Sequence, residues 1–417
     1  MSNVMEIIRS FSKTCPCGVK HETTVGDVRI ASGLVNSVGA ILRENSFSDN
    51  ILLVADKDTL KASEGIVESL KGFNISYKIY DEIRVAEMKH VDELEKMIKD
   101  KDISVLSVGT GSVNDPCRLA CARADKKLAI FATAPSMDGF ASYSSPIVDN
   151  GFKASYPAKS PEVIIGDTKI LANSPTYLKS AGFGDMIAKY VALIDWQISH
   201  LLIGEYYCER VAKLTRDALD TLVEMADKVT VNDEETAGKI FESLLMTGIG
   251  MSFTQNSRPA SGCEHIISHL LECVELRDGI IPNFHGEDIG VCTLEMLKLY
   301  GELAKREGIT AKRENIDWED VYSFYGEMAD DVRKLNNPTI TDKVDPVALE
   351  ENWQKIRDII NSVPSYEECK AAMIKAGCKI TVSDIGKDEK LFSDCVKYSP
   401  YMRYRLTLLR LLTMIEM

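Results

Sequence analysis

Up to about residue 175, the chain alternates short apolar runs with amphipathic stretches. The runs are ILLVAD (51–56), ISYKIYD (75–81), ISVLSVG (103–109), LAIFATA (128–134) and EVIIGD (162–167). Segments with helical spacing, such as TLKASEGIVESLKG and VDELEKMIKD, lie between them. This alternation predicts a parallel sheet with helices on both faces, and the continuous apolar runs predict strands that are buried on both sides.

Beyond about residue 177 the apolar residues recur at helical spacing, for example in GDMIAKYVALIDWQISHLL and GVCTLEMLKLYGELAKRE. Strand-like alternation is rare in this part of the chain. We therefore predict an α/β domain over residues 1–176 and an all-α domain over residues 177–417. The junction, ANSPTYLKSAGFGD, contains proline and glycine, which predicts a hinge followed by a helix that begins near Asp185.

Composition excludes several classes of function. A chain of 417 residues that is 45% hydrophobic and 27% charged is typical of a globular protein of two domains. The formal net charge of -14 disfavours nucleic acid and anionic membrane as partners, because both require a cationic surface. No uninterrupted apolar stretch approaches about 18 residues, so we expect no membrane insertion.

The location of the protein is inferred from its first residues and from its cysteines. MSNVMEIIRSFSKTC lacks the apolar run and small-residue cleavage site of a signal peptide. Eleven cysteines are scattered over the chain, which is typical of reduced thiols. We therefore expect a cytoplasmic protein.

The stretch CPCGVKH (15–21) combines two cysteines with a histidine, as a zinc knuckle does. The gap between Cys15 and Cys17 is shorter than the usual gap of about two to four residues, and no second Cys or His pair follows nearby. We interpret the stretch as a turn that enters a strand.

A candidate phosphate-binding loop, VGTGSVND (108–115), follows one predicted strand and precedes a predicted helix. Gly109 and Gly111 allow backbone N–H groups to approach a phosphate, and the helix N-terminus adds positive potential. The loop differs from the usual dinucleotide motif GxGxxG, because Asn114 occupies the place of the third glycine. Asp56, at the end of ILLVAD, is placed to accept a hydrogen bond from a ribose hydroxyl.

A second loop, ATAPSMDGFASYSSPI (132–147), follows the next predicted strand. It is rich in small and hydroxyl residues and carries one carboxylate, Asp138. Neighbouring parallel strands end at the same edge of a sheet, so we expect both loops to line one crevice.

Three of the six histidines cluster in the helical part of the chain. His265 and His269 are four residues apart on a predicted helix and share one face, and His285 begins another. With Asp185, two imidazoles and one carboxylate would hold a catalytic Zn²⁺ or a similar first-row ion and leave one position open for a substrate oxygen. The spacing alone leaves open which two histidines are ligands.

Together the motifs GTGSVND, TAPSMDGFAS, AGFGD, SRPASGCEHIISH and FHGE resemble the sn-glycerol-1-phosphate dehydrogenase family, and most of all its bacterial AraM-like branch. That family lies in the superfamily of iron-containing alcohol dehydrogenase, glycerol dehydrogenase and 3-dehydroquinate synthase. The resemblance extends from about CPCGVKH to YMRYRLTLLRLL. It implies a dehydroquinate synthase-like architecture, in which a Rossmann-like N-terminal domain and a helical C-terminal domain enclose the active site, and it makes a homodimer plausible.

The resemblance also implies roles for individual residues. It assigns the metal ligands to Asp185, His265 and His285, and it assigns the substrate contacts to Asp138, His269 and Asp185. The expected contacts to NAD(H) or NADP(H) are Asp56, Gly109, Thr110, Gly111, Ser112, Val113, Thr133, Ala134, Pro135, Ser136 and Ser142.

The activity that the resemblance implies is reversible, NAD(P)H-linked reduction of dihydroxyacetone phosphate to sn-glycerol 1-phosphate with one divalent ion, Zn²⁺, Ni²⁺ or Fe²⁺. A phosphorylated triose or polyol requires a cation, for which Arg258 is the first candidate and Lys153 and Lys159 are alternatives. The competing functions are a glycerol or other alcohol dehydrogenase, a cyclase-like lyase on the same scaffold, and a non-enzymatic binding protein.

Overall fold

The computed structural model describes residues 3–13 and 15–416, apart from the side chain of Asn3. Within these residues the strands are β1 Asp27–Ala31, β2 Asn50–Asp56, β3 Asn74–Tyr80, β4 Ser104–Gly109, β5 Leu128–Ala132, β6 Ser144–Asp149, β7 Phe152–Pro157 and β8 Val163–Asp167. Six of these strands form one parallel sheet in the order β1-β8-β5-β4-β2-β3, and the other two form an antiparallel hairpin, β6-β7.

Helices account for most of the remaining described residues. In chain order the α-helices are α1 Asn3–Phe11, α2 Val38–Glu44, α3 Lys57–Ala62, α4 Ile66–Ser69, α5 Met88–Ile98, α6 Gly111–Ala124, α7 Thr168–Asn173, α8 Thr176–Ile187, α9 Lys189–Ile203, α10 Glu209–Val223, α11 Glu234–Thr254, α12 Cys263–Arg277, α13 His285–Ala304, α14 Trp318–Tyr325, α15 Ala329–Leu335, α16 Pro346–Glu351, α17 Trp353–Ile360, α18 Tyr366–Lys375, α19 Glu389–Tyr398 and α20 Leu408–Leu411. Short 3₁₀ helices lie at Leu34–Ser37, Gly139–Ala141, Ala226–Lys228, Gly326–Met328, Ile340–Lys343, Ser399–Tyr401 and Leu412–Met414.

The central strands are buried on both faces because their apolar runs are continuous. On β2, Ile51 and Leu53 pack into one hydrophobic cluster, whereas Leu52 and Val54 pack into another on the opposite face. The second cluster also contains Phe241 of α11, so the helical part of the chain packs directly on that face of the sheet. A third cluster, which lies within the helical part, forms the remaining core.

The predicted parallel sheet with flanking helices and a helical C-terminal region is confirmed. The apolar runs predicted β2, β3, β4, β5 and β8, but they missed β1 and the β6-β7 hairpin. The last strand of the described chain ends at Asp167, whereas the boundary between residues 176 and 177 stays a prediction.

The predicted hinge at the junction is a helix in the structure. Asp185 lies near the end of α8 and not at a helix start, and Gly182 and Gly184 lie inside that helix. A Cβ atom at Gly182 would lie 2.0 Å from the carbonyl oxygen of Pro135, and one at Gly184 would lie 2.3 Å from that of Gly286. These glycines are therefore required for close packing rather than for a turn.

The helices α8 and α9 follow each other as one apolar stretch, Thr176–Ile203, with a mean hydropathy of 1.2 over its most apolar part. The stretch has the length of a membrane span, but 72% of that part is buried inside the protein. Packing within the fold therefore accounts for its apolar composition.

Candidate active site

A cavity of about 950 Å³ lies between the carboxyl edge of the sheet and the helical part of the chain. β2 connects to β3 on one side and β4 connects to β5 on the other, so a topological switch point lies between the neighbouring strands β2 and β4. Ligands of open parallel sheets bind at such a switch point. Gly109, the last residue of β4, pairs with Ala132, the last residue of β5. Both predicted loops therefore meet at one edge of the cavity, as the sequence indicates.

Three side chains from three different helices converge beside the cavity, and two of them, His265 and His285, line it. Asp185 lies on α8, His265 on α12 and His285 at the first position of α13. Each offers one ligand atom, and these atoms all lie within 4.8 Å of one another. The Nε2 atom of His265 lies 3.5 Å from Oδ1 of Asp185.

Close helix packing brings these three residues together. A Cβ atom at Gly286 would lie 1.8 Å from the carbonyl oxygen of Ala181, so only glycine allows α13 to approach α8 this closely. Gly184 faces the same contact from α8. The motifs AGFGD and FHGE thus place glycine beside Asp185 and beside His285 for a packing reason.

Neighbouring groups fix the orientation of two of these side chains. His265 Nδ1 lies 2.6 Å from Oε1 of Glu264, which leaves Nε2 directed towards Asp185. The backbone N–H of Asp138 donates a 2.9 Å hydrogen bond to Oδ2 of Asp185. Carboxylate–histidine pairs of this kind orient metal ligands and increase their basicity.

Lys189 is a buried residue of the site that none of the sequence motifs includes. Its Nζ atom lies 2.7 Å from Oδ2 of Asp138 and 2.7 Å from Oδ1 of Asp185, and its side chain is fully buried. The available signal was spacing, because Lys189 follows Asp185 by one helical turn.

Electrostatics favours the ligating forms of these groups. Burial, aided by the charge of Lys153, holds the pKa of His269 and of His285 well below the ordinary value, so both rings are neutral. Burial would raise the pKa of Asp185, but the Lys189 ammonium group and the hydrogen bond from His265 outweigh it and hold the pKa well below its usual range.

The pKa values of His265 and Asp138 are raised instead. Burial lowers the pKa of His265, but its hydrogen bonds with Asp185 and Glu264 outweigh burial and raise it. Burial, followed by the charge of Asp185, raises the pKa of Asp138. Because a ligating imidazole must be neutral, metal uptake by the charged form of His265 releases a proton.

The residues of this cluster fit a divalent cation. When ionised, the three carboxylates of Asp138, Asp185 and Glu264 and the one ammonium group of Lys189 leave a buried charge of minus two. The Nδ1 atom of His285 is buried and has no hydrogen-bond partner among the described residues. Two imidazoles and one carboxylate with space in front of them are the ligands of a catalytic ion with an open position.

The predicted nucleotide contacts divide into two groups. The residues that line the cavity are Asp56, Thr110, Gly111, Ser112, Thr133, Ala134, Ser136 and Ser142. Among the described residues, Gly109, Val113 and Pro135 do not line it. Val113 is 1% exposed and fills the space beside Gly109, and the Pro135 carbonyl packs against Gly182. These three residues therefore pack beneath the loops and do not face the cavity.

Asp56 and the loop after β4 lie on either side of the switch point. Oδ1 of Asp56 accepts a 2.8 Å hydrogen bond from the backbone N–H of Thr59, which caps α3. Thr110 is the N-cap residue of α6 and makes no side-chain cap hydrogen bond, and Thr110, Gly111 and Ser112 line the cavity at the start of that helix. This arrangement suits a dinucleotide, with its phosphates at a helix N-terminus and a ribose near Asp56.

The predicted substrate contacts Asp138 and His269 line the cavity beside the triad. The His269 ring stacks on His285 with centroids 5.5 Å apart and lies edge-on to His265 at 6.0 Å. All three histidines therefore face one small volume.

The structure contradicts the prediction that Arg258 binds a substrate phosphate. Its side chain is 1% exposed, and Nε donates to Oε1 of Glu205 at 2.8 Å while Nη2 donates to the Leu406 carbonyl at 2.8 Å. Lys159 likewise lies away from the cavity, where it pairs with Glu162. Of the three candidate cations only Lys153 lines the cavity, and its Nζ atom lies 2.5 Å from Oε2 of Glu272.

Comparisons with known proteins agree with this architecture. Residues 29–175 match the family model described as iron-containing alcohol dehydrogenase. The fold resembles that of the NADH-dependent butanol dehydrogenase A from Thermotoga maritima, with a TM-score of 0.63, 15% identity and coverage of 95% of this chain and 94% of the other. The fold is therefore that of the iron-containing alcohol dehydrogenases.

Sequence relatives identify the family within this class. A glycerol-1-phosphate dehydrogenase [NAD(P)+] from Thermococcus sibiricus is 33% identical over 69% of this chain and 81% of its own length. One from Halalkalibacterium halodurans is 25% identical over 98% of both chains. The chain belongs to the glycerol-1-phosphate dehydrogenase family.

Proposed function

We propose that the cavity reduces dihydroxyacetone phosphate to sn-glycerol 1-phosphate, reversibly, with NAD(P)H as the hydride donor. The observation that carries this proposal is the triad of Asp185, His265 and His285, whose two histidines line the same cavity as the glycine loop after β4. A binding protein without catalysis would not require three ligands from three helices to converge beside a nucleotide loop.

The triad would hold one divalent ion, which when bound supplies Lewis-acid polarisation of the C2 oxygen of the substrate. When bound, NAD(P)H would supply the hydride that C2 accepts, and the oxygen on C2 would take up a proton, so NAD(P)H and one proton would be consumed for each ketone. The protein contributes orientation and charge stabilisation, whereas the cofactor carries the hydride chemistry.

We assign the proton relay to His269. Its ring is neutral and lies beside His285 in the cavity, so one ring nitrogen accepts a proton while the other donates one. Asp138 is held by Lys189 at the same end of the cavity and would accept a hydrogen bond from a substrate hydroxyl.

We propose Lys153 as the phosphate-binding residue in place of Arg258. It lies in the cavity wall close enough to His269 and His285 to lower the pKa of both, and its ammonium group is shared only with Glu272 among the described carboxylates. An arriving phosphate would then compete with Glu272 for this cation. A charge-assisted hydrogen bond of about 1.5–3 kcal/mol corresponds to roughly 10- to 100-fold in affinity.

The test is oxidation of NADH and NADPH with dihydroxyacetone phosphate and with unphosphorylated dihydroxyacetone, before and after chelation and metal addition. We expect metal-dependent turnover of the phosphorylated ketone to the 1-phosphate stereoisomer. Preference for the unphosphorylated ketone would reject the proposal and favour a glycerol or other alcohol dehydrogenase. Elimination of phosphate without net NADH oxidation would favour a lyase.

A pair of lysine variants distinguishes a loss of phosphate binding from a general loss of activity. Lys153→Met is expected to raise KM for dihydroxyacetone phosphate about 10- to 100-fold and to leave the weak reaction with dihydroxyacetone unchanged. Lys159→Met, which removes a lysine outside the cavity, is the control and should change neither value. Equal effects of Lys153→Met on both ketones would contradict the role of this residue.

The metal, the location and the assembly are further proposals. Zn²⁺, Ni²⁺ and Fe²⁺ all accept these ligands, so turnover after reconstitution with each ion tests the identity of the metal. Cytoplasmic location and a homodimer remain predictions, which cell fractionation and light scattering would test.

A further inference from the structure

A second cluster of metal-ligating side chains, here the cysteine cluster, consists of Cys15, Cys17, His21 and Cys208. One ligand atom from each residue lies within 4.8 Å of every other. Cys15, His21 and Cys208 are buried and Cys17 is partly exposed. None of these four residues lines the active-site cavity. The site described above therefore does not explain why they converge.

The distances within the cluster fit a tetrahedral ion. With Zn–S bonds of about 2.3 Å and a Zn–N bond of about 2.0 Å, tetrahedral geometry separates two sulfurs by about 3.8 Å and a sulfur from a nitrogen by about 3.5 Å. The Cys15 and Cys208 sulfurs are 3.7 Å apart. His21 Nε2 lies 3.4 Å from the sulfur of Cys17 and 3.4 Å from that of Cys208.

Neighbouring groups hold the histidine in the ligating tautomer. Nδ1 of His21 lies 3.0 Å from the carbonyl oxygen of Phe253, so Nδ1 carries the proton and Nε2 presents its lone pair to the sulfurs. Phe11 and Phe253 flank the ring, each with its centroid 5.6 Å from that of His21. This environment excludes water from the buried side of the cluster.

The local backbone also positions the cysteines. Cys208 is the N-cap residue of α10. The hydroxyl group of Tyr206 lies 3.4 Å from the Cys17 sulfur. Gly18 adopts a positive φ of 79°, and its N–H donates to the Cys15 carbonyl at 2.9 Å, which turns the chain so that both cysteines face one point.

We propose that Cys15, Cys17, His21 and Cys208 bind a structural Zn²⁺ ion that is separate from the catalytic metal. Three thiolates and one imidazole are a complete tetrahedral set, and a set without an open position is typical of a structural site. The ion connects the segment before β1 to the start of α10, across 193 residues of sequence. It thus fixes the N-terminal segment to the helical part of the chain.

The first test is the metal content of the full-length protein purified without chelator, measured by inductively coupled plasma mass spectrometry. Wild type and the triad variant His285→Ala should both hold one tightly bound zinc that Cys17→Ser and Cys208→Ser lack. The matched control Cys378→Ser removes a cysteine outside the cluster whose sulfur donates to the Ser180 carbonyl, a bond that serine also makes. It should retain the zinc. Equal zinc content in all of these variants would overturn the proposal.

The second test needs no substitution and so does not depend on whether a variant folds. Thiols are counted in denatured protein after zinc chelation, and cobalt replaces zinc in a parallel sample. We expect eleven thiols and the near-ultraviolet thiolate-to-cobalt absorption of a tetrahedral site. Nine thiols would mean a disulfide within the cluster, and eleven thiols without that absorption would mean free cysteines. Either result would overturn the proposal of a structural zinc site. Neither result would change the expected activity with dihydroxyacetone phosphate.

Discussion

Two of the groups of metal-ligating side chains among the described residues differ in donor type, access and origin. The triad of Asp185, His265 and His285 offers oxygen and nitrogen ligands, and its two histidines line a cavity of about 950 Å³. The cysteine cluster offers three sulfurs and one nitrogen and lies away from that cavity, against Phe11 and Phe253.

The difference between the two sites follows from how the backbone presents them. The triad comes from three helices, and the close packing of two of them, α8 and α13, depends on Gly184 and Gly286. The cysteine cluster comes from a tight turn and a helix cap, which together surround a point. An open site accepts a substrate oxygen, whereas a closed site contributes to folding.

The largest expected effect is the loss of a triad ligand. His285→Ala should lower kcat/KM about 1,000-fold or more, because the ion supplies several kcal/mol and each 1.36 kcal/mol is a factor of ten. Steady-state kinetics with added metal measures the effect. His90→Ala, which removes a histidine outside the cavity, is the control, and a loss below tenfold in His285→Ala would contradict the assignment.

Removing Lys189 tests the charge balance around the triad. Lys189→Met leaves Asp138 and Asp185 buried without their cation, so we expect a loss of about 3–5 kcal/mol in the unfolding free energy of the metal-free protein. The loss should be smaller with metal bound, because the ion replaces the missing positive charge. Urea unfolding with and without metal measures both values.

The control for this prediction is Lys213→Met, which breaks an exposed ion pair with Asp217 and should change stability by less than about 0.5 kcal/mol. If added metal stabilises wild type and Lys189→Met equally, Lys189 is not coupled to the ion.

The next effect is on metal affinity through the residue that orients His265. Glu264→Gln keeps a hydrogen-bond acceptor near Nδ1 but removes the charge, so we expect metal affinity to fall about 10- to 100-fold. Activity titrated with metal should recover at high metal concentration. Activity that stays low at saturating metal would show that Glu264 does more than support the ligand.

The smallest expected effect concerns the choice of cofactor. Asp56→Ser keeps a cap for α3 and removes a carboxylate that would repel a 2′-phosphate. At about 1 kcal/mol for the repulsion between two charges ~4 Å apart in water, the ratio of kcat/KM for NADPH to that for NADH should rise about fivefold. An unchanged ratio would place the ribose away from Asp56.

Sequence patterns predicted those parts of the molecule that depend on nearby residues. The continuous apolar runs located five central strands, since burial on both faces is visible in each run itself. The spacing of His265 and His269, and the placement of the glycine loop between a strand and a helix, are likewise local.

Interactions between distant residues were not predictable in this way. Arg258 belongs to a sequence motif, but its partner Glu205 lies 53 residues away. The stretch around Cys15 and Cys17 predicts a simple turn, whereas their neighbour Cys208 lies 187 residues after His21 in the sequence. The glycines of AGFGD predict a hinge, whereas packing against Pro135 and Gly286 requires them inside a helix.

An anomalous-scattering map tests most directly whether the chain holds two metals of different kinds. Crystals of the unaltered protein would be measured on both sides of the iron, nickel and zinc absorption edges. We predict one peak among Asp185, His265 and His285, and a separate zinc peak among Cys15, Cys17, His21 and Cys208. Absence of a peak at the triad in metal-supplemented, active protein would contradict the catalytic assignment, and absence of the zinc peak would contradict the structural site.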